Sequence, residues 1–241
     1  ILHRTAKLTL ASGSKSFKTW SLMHLAIAVS TGGKWWGHQC HQAPVLYVNF
    51  ELQDYFCIDR IETIKDRLGI EDLPQLKLWN LRGHAAAIRD LEPKLDAAME
   101  RHNIGLTIID PVYKLYGDKD ENSATDVAEI LNTLERLGRE HNTAIVLAHH
   151  FRKGGPGDKA AERMSGSGVW HRDGDAIIII EPHEEEDRFV VTPDLRNFKP
   201  MEPFGIRWEY PLFLPDTEID PTAVRGKKRT EPKVSSHQVA S

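Results

Sequence analysis

Two cysteines, Cys40 and Cys57, are all the thiols in this chain, which excludes a disulfide framework and suits a reducing cytosol. Also missing is any run of about 18 uncharged apolar residues, so no membrane span is expected and a cytoplasmic location is the natural reading. The opening Ile1-Leu2-His3-Arg4 has no apolar core of a secretory signal, and it begins without Met, so a preceding segment is expected. Basic excess is absent as well. Thirty-one Lys and Arg against 35 Asp and Glu leave a formal net charge of −4. Contact with nucleic acid would therefore need a local patch rather than a global footprint. Arginine is scarce early: from Thr5 to Asp59 every cation is Lys or His. The 241 residues suit one α/β domain, with room for a second small one.

What is present is an alternation of apolar runs of strand length with helix-period segments. Strands are predicted over Leu8 to Ala11, Val45 to Phe50, Leu76 to Leu81, Leu106 to Asp110 and Ala144 to Ala148. Helices are predicted from Trp20 to Val29, through Ile58, Ile61, Ile64 and Leu68, and from Ala85 to Arg101, with Pro93 unsettling its first turns. Ser123 with Asp126 opens a further helix whose apolar face is Val127, Ile130, Leu131, Leu134 and Leu137. Near-continuous apolar strands separated by helices imply a parallel sheet with helices on both faces. From Ala176 the pattern changes. Ala176 to Ile180, Phe189 to Val191 and Gly205 to Tyr210 follow one another without helices, which predicts an antiparallel C-terminal extension. A domain over residues 1–215 is expected, followed by a mostly disordered basic tail or linker over 216–241.

The most informative stretch is Lys7 to Trp20. A short strand enters a small-residue turn, Ser12-Gly13-Ser14-Lys15-Ser16-Phe17, followed by Lys18-Thr19 and a helix from Trp20. Strand, loop, Lys-[Ser/Thr] and helix form the anatomy of a P-loop. Its backbone N–H groups and helix N-terminus cradle phosphates, its Lys reaches the β/γ oxygens, and its hydroxyl ligates Mg²⁺. Ser12 and Phe17 occupy the two glycine positions of that motif. A second register would take Lys15-Ser16 as the phosphate pair. The helix start at Trp20 favours Lys18-Thr19, with Lys15 an additional cation in the loop.

Other polar groups arrive at strand ends. Glu51 follows the second strand, Asp110 ends Leu106 to Ile109 in a Walker B arrangement, and His149-His150 follow Ala144 to Ala148. In an open parallel sheet the carboxyl edge is where ligands bind. A single such residue is often a solvated terminus; a set behind a P-loop is a site.

Lys15 to Trp20, the strand leading to Glu51, Ile108-Ile-Asp-Pro111 and Ala148-His-His-Phe-Arg-Lys153 resemble the RecA-type P-loop ATPases, over about residues 5 to 212. Among these the chain looks most like the RepA-like hexameric replicative helicases of plasmids and phages. The resemblance implies ATP and Mg²⁺ as cofactors, with Lys18 and Thr19 on phosphate and metal and Asp110 as the Walker B acid. It implies Glu51 as the base orienting the attacking water, and His149 or His150 as the sensor of the γ-phosphate. Phe17 at the last glycine position departs from the family and bears on the rate of turnover.

Phosphoryl transfer to water gains about 10³ to 10⁵ in rate from one more cation on the γ-phosphate. In RecA-type rings a neighbouring subunit supplies it, and Arg196 or Arg207 are the candidates here, on a homo-oligomer expected to be a hexamer. The glycine-rich segment after the fifth strand carries Arg152, Lys153, Lys159 and Arg163, suited to tracking the phosphates of single-stranded DNA without reading sequence. Three features read as structural: the His38-x-Cys40-His41 cluster, the Trp35-Trp36 pair and the acidic run Glu184 to Asp187. The function implied is an ATP-driven motor on single-stranded DNA in replication. Rivals are a RecA- or KaiC-like ATPase of repair, recombination or regulation, and a scaffold that holds nucleotide with little hydrolysis.

Overall fold

A computed structural model describes residues 2–13, 16–84, 87–150 and 169–226. Its centre is a nine-stranded sheet in the order β11-β10-β9-β8-β1-β7-β6-β4-β5. The strands are β1 (Lys7–Ser12), β4 (Val45–Asn49), β5 (Leu76–Asn80), β6 (Leu106–Asp110), β7 (Ala144–His150), β8 (Ala176–Pro182), β9 (Arg188–Leu195), β10 (Phe204–Glu209) and β11 (Leu212–Asp216). A separate two-stranded hairpin, β2 (Lys34–Trp35) and β3 (His38–Gln39), follows the first helix. Five helices are described: α1 (Lys18–Thr31), α2 (Asp54–Arg67), α3 (Ile88–His102), α4 (Ala124–Glu140) and the short α5 (Val169–Asp173).

The parallel part is wider than the sequence pattern implies. β8 pairs with β1 in parallel, Leu8 opposite Ala176, so the antiparallel extension begins at β9 rather than at Ala176. It also gains a strand, β11, that the sequence reading left out. Pro211 and Pro215 flank and interrupt that run, but β11 is an edge strand, where the missing N–H groups cost no ladder bond.

Each face of the sheet has its own core. α1 lies on one face and is buried nearly all round, through Leu22, Met23, Ala26 and Ile27, because α2 and the β2–β3 hairpin cover its outer side. It ends at Gly32, whose φ of 72° is left-handed and whose N–H returns to the Ala28 carbonyl. Trp35 and Trp36 stack at 3.7 Å in this core, which confirms their packing role. On α2 only Cys57, Ile61 and Ile64 face inward. Ile58, expected on the apolar face, is half exposed.

α3 and α4 cover the other face. Ser123 caps α4 by accepting the Asp126 N–H at 3.3 Å, and Val127, Ile130, Leu131, Leu134 and Leu137 are buried as the periodicity requires. α3 begins at Ile88, later than expected, and tolerates Pro93 because the carbonyl that loses its donor, that of Arg89, lies at an exposed helix start.

The packed chain also runs beyond Asp216, where a tail was expected. Ile219, Ala223 and Val224 are buried, Val224 bridges to His183, and the Arg225 N–H donates to the Pro182 carbonyl at 2.9 Å. Their sparse apolar spacing hid a segment that closes over Val190. Residues 227–241 lie outside the described residues. No described helix is long and apolar enough to cross a membrane.

Candidate functional site

β1, β4, β6 and β7 all point their carboxyl ends to one edge of the sheet, and α1 starts there. β1 ends at Ser12, opposite His150 of β7. The turn closes through Ser16, whose Oγ lies 2.8 Å from the Gly13 carbonyl and 2.5 Å from Ser12 Oγ. Ser12 is fully buried, so a small hydroxyl residue fills the first glycine position without crowding. Ser14 and Lys15 lie outside the described residues.

Phe17 takes the conformation that the glycine at this point of the motif exists to supply. Its φ of 55° is left-handed, a conformation that costs a non-glycine residue on the order of 1 kcal/mol or more. Stacking offsets that cost. The Phe17 ring lies on Trp208 with centroids 4.3 Å apart and planes 6° apart, and meets Phe189 and Phe213 edge-on. Phe17 itself is thereby held in the geometry that starts α1.

α1 has no side-chain cap and no acidic residue in its first turn. Among the described residues the N–H groups of Lys18, Thr19 and Trp20 have no partner at the positive end of a helix, an arrangement that attracts an anion. Lys18 is buried beside them. Its Nζ donates to the His149 carbonyl at 3.0 Å and lies 3.1 Å from His150 Nδ1. Burial pushes its pKa down to about 8, against the opposing pull of Asp110 and Glu51. Both acids predicted from strand ends therefore act on this lysine.

Asp110 is buried at the end of β6. Tyr47 donates to its Oδ2 at 2.8 Å, and its Oδ1 has no partner among the described residues. A buried carboxylate oxygen left without a donor fits a cation. Thr19 and Asp110 are the residues that would hold Mg²⁺, as the sequence implies.

Glu51 is not at a strand tip. β4 stops at Asn49, which is the residue opposite Asp110, and Glu51 follows two residues on, exposed. Asn49 was missed by sequence reading, and it moulds the turn. Its Oδ1 accepts the N–H groups of Glu51 and Leu52, and its Nδ2 donates to the Leu52 carbonyl and Asn80 Oδ1. An Asn one residue ahead of a strand's last hydrophobe is the only signal that could have found it.

His149 is buried, with its ring edge-on to Trp170 at 4.6 Å. Burial, then Lys18 and His150, press its pKa down to about 4. His150 is lowered too, by burial and Lys18, with Asp110 opposing. Both imidazoles are neutral at neutral pH, and Lys18 is held by the His149 carbonyl and the His150 ring.

The two candidate arginines part company. β9 runs away from this edge, so Arg196, just past Leu195, sits at the opposite edge, where it donates to the Arg172 carbonyl. β10 runs back toward the site, and Arg207 on it lies beside Glu209 at 3.4 Å. A third arginine was missed. Arg60 of α2 lies 4.8 Å from the Trp20 ring and bears electrostatically on Tyr47, whose hydroxyl is bonded to Asp110. Arg152, Lys153, Lys159 and Arg163 lie outside the described residues. His38, Cys40 and His41 form no metal-ligand grouping among the described residues; the grouping that does occur is Asp96, Glu140 and His141, by the C-terminus of α4.

The family model for the AAA domain matches residues 2–156. No curated protein matches the chain in sequence. Among solved structures, the KaiC-like protein of the hyperthermophilic archaeon Pyrococcus horikoshii OT3 superposes with a TM-score of 0.63 at 12% identity, over 88% of this chain and 90% of that one. The fold is accordingly the α/β, RecA-like P-loop architecture with an antiparallel C-terminal extension.

Proposed function

The chain belongs to the AAA domain family as a RecA-like P-loop ATPase, and from that premise we propose that it is a Mg²⁺-dependent ATP hydrolase acting on single-stranded DNA. One observation carries the nucleotide part. An α1 N-terminus without a cap and a buried Lys18 bonded to neutral acceptors stand beside Asp110, whose Oδ1 has no partner among the described residues. A triphosphate is the anion that satisfies these groups together.

Lys18 would leave the His149 carbonyl for the terminal phosphates, while the N–H groups of the first turn of α1 bind the phosphate chain. Bound Mg²⁺ would neutralise phosphate charge from Thr19 and Asp110. Tyr47 holds Asp110 Oδ2, so the carboxylate keeps one orientation. Glu51, exposed on a turn fixed by Asn49, would accept a proton from an attacking water. His149, through its carbonyl, and His150, through its ring, hold Lys18 and would register the terminal phosphate when the lysine moves.

The DNA part rests on the basic, glycine-rich sequence that directly follows β7, with Arg152, Lys153, Lys159 and Arg163. In this reading the protein works as a homo-oligomeric ring in replication, in the manner of the RepA-like helicases, with an arginine supplied across the interface. Arg196 and Arg207, at opposite edges of the sheet, are the candidates for that arginine. The likeness to a KaiC-like protein favours a second reading, an ATPase that changes state without unwinding DNA. Hydrolysis with and without single-stranded DNA, on protein whose mass in solution is known, separates them. DNA-stimulated turnover with strand displacement supports the motor; turnover indifferent to DNA supports the second reading. Glu51→Gln should bind ATP as the parent does yet hydrolyse it about 10²-fold or more slowly. A parallel fall in affinity would make Glu51 a metal or structural ligand instead.

A further inference from the structure

Most of what the described residues leave apolar and exposed is gathered on one helix. Of seven large apolar side chains in that condition, Tyr55, Phe56, Ile58 and Leu68 belong to α2 or its C-terminal cap. Tyr55 is 72% exposed and Phe56 51%, and their rings meet edge-on with centroids 5.5 Å apart. Only Cys57, Ile61 and Ile64 of this helix are buried. An apolar cluster on the outer side of a surface helix is unused by the fold and marks a contact surface.

The charges among these side chains are of one sign. Tyr55, Asp59, Glu62 and Asp66 follow at spacings of four, three and four residues, so they form one stripe opposite the buried face, with Phe56 and Ile58 flanking it. All three acids are exposed. The cations of α2 are engaged: Arg60 lies over the Trp20 ring, Arg67 pairs with Glu209 at 2.8 Å, and Lys65 pairs with Glu62. Asp59 and Asp66 form no ion pair among the described residues.

Charge decides what can cover this face. Nucleic acid, a nucleotide and an anionic membrane would each bring phosphate against the acidic stripe, and are repelled. Pairing α2 with its counterpart in a second copy about a two-fold axis would set the stripe against itself. The chemistry that complements it is a polypeptide segment with Lys and Arg at helical spacing and apolar side chains between them. Its cations would meet Asp59, Glu62 and Asp66, while its apolar side chains and cation stems would lie on Tyr55 and Phe56. We infer that the outer face of α2 is the docking surface for a basic amphipathic segment of a partner protein. Because α2 opens shortly after Glu51, that partner would adjoin the phosphate-binding edge of the sheet. The surface stands whether or not the P-loop binds nucleotide.

The test uses two synthetic amphipathic peptides of one pattern, Leu with Lys and Arg in the first and Leu with Glu in the second. Each is titrated calorimetrically into the protein without nucleotide. The parent should bind the basic peptide and not the acidic one, and less tightly as salt is raised. Tyr55→Ser with Phe56→Ser should weaken the basic peptide about tenfold or more, at a nearly unchanged melting temperature because both side chains face solvent. Tyr55→Ser alone should weaken it in the same sense. Asp59→Lys with Asp66→Lys should lose the basic peptide and gain the acidic one. A parent indifferent to the basic peptide, or variants that bind it as the parent does, would overturn the surface. So would a loss confined to the charge reversal, which would reduce the contact to unspecific attraction between net charges. Sedimentation of the protein alone supplies the remaining arm. Self-association of the parent that the same variants abolish would make α2 an interface between copies, and would overturn the partner.

Discussion

Two lysines are buried in this sheet, and their surroundings differ in kind. Lys7, near the start of β1, lies 2.7 Å from Glu135 of α4 and 2.5 Å from Asp173 of α5. Lys18, just beyond the other end of the same strand, touches a carbonyl and a neutral imidazole and forms no ion pair among the described residues. The first charge is neutralised within the fold and ties α4 and α5 to the sheet. The second is left for a ligand to neutralise, and burial presses its pKa down to about 8. A buried cation with counter-ions in contact is structural; one whose contacts are neutral dipoles marks an anion site.

The sharpest way to break the comparison is to remove each charge in turn. Lys7→Met should destabilise the protein by about 1–3 kcal/mol in urea denaturation, below the usual figure for a broken buried pair because Glu135 and Asp173 reach solvent. Lys18→Met should do the opposite at pH 7, stabilising by about 1–2 kcal/mol, since the desolvation cost vanishes while two acceptors lose a donor. Equal losses for both variants would erase the distinction.

A smaller effect sharpens it. The unfolded chain holds the Lys18 proton up to about pH 10.5 and the folded chain only to about 8. Between those values the unfolded state binds more protons, so this group makes stability rise with pH across that window. The stabilising gain of Lys18→Met over the parent should therefore shrink between pH 8 and pH 10.5. A gain that stays constant would mean that Lys18 is not desolvated.

Much of the parallel half could be read from sequence, and the reason is local. Asp110 and His149-His150 end apolar runs, and Lys18-Thr19 stands at a strand-to-helix junction, so short-range pattern places them at the sheet edge. What could not be read depends on distant partners. Phe17 looks like a defect in the loop until Trp208 is found stacked upon it. The parallel direction of β8 shows in its pairing with β1, far away in sequence, and not in any residue of Ala176 to Pro182. Arg60 went unread because helix spacing says nothing of what a neighbouring helix presents. Asn49 was hidden by a strand judged one residue too long, which also put Glu51 at a tip it does not occupy.

The claim that most of this depends on is that Lys18, held in reserve by β7, is the phosphate lysine. Binding of Mg²⁺-ATP to the parent, Lys18→Ala and Lys15→Ala, measured by calorimetry on folded protein, tests it directly. The account predicts binding by the parent, none by Lys18→Ala, and binding weakened but retained by Lys15→Ala. Loss with Lys15→Ala and retention with Lys18→Ala would contradict it, and would move the phosphate site into the preceding turn.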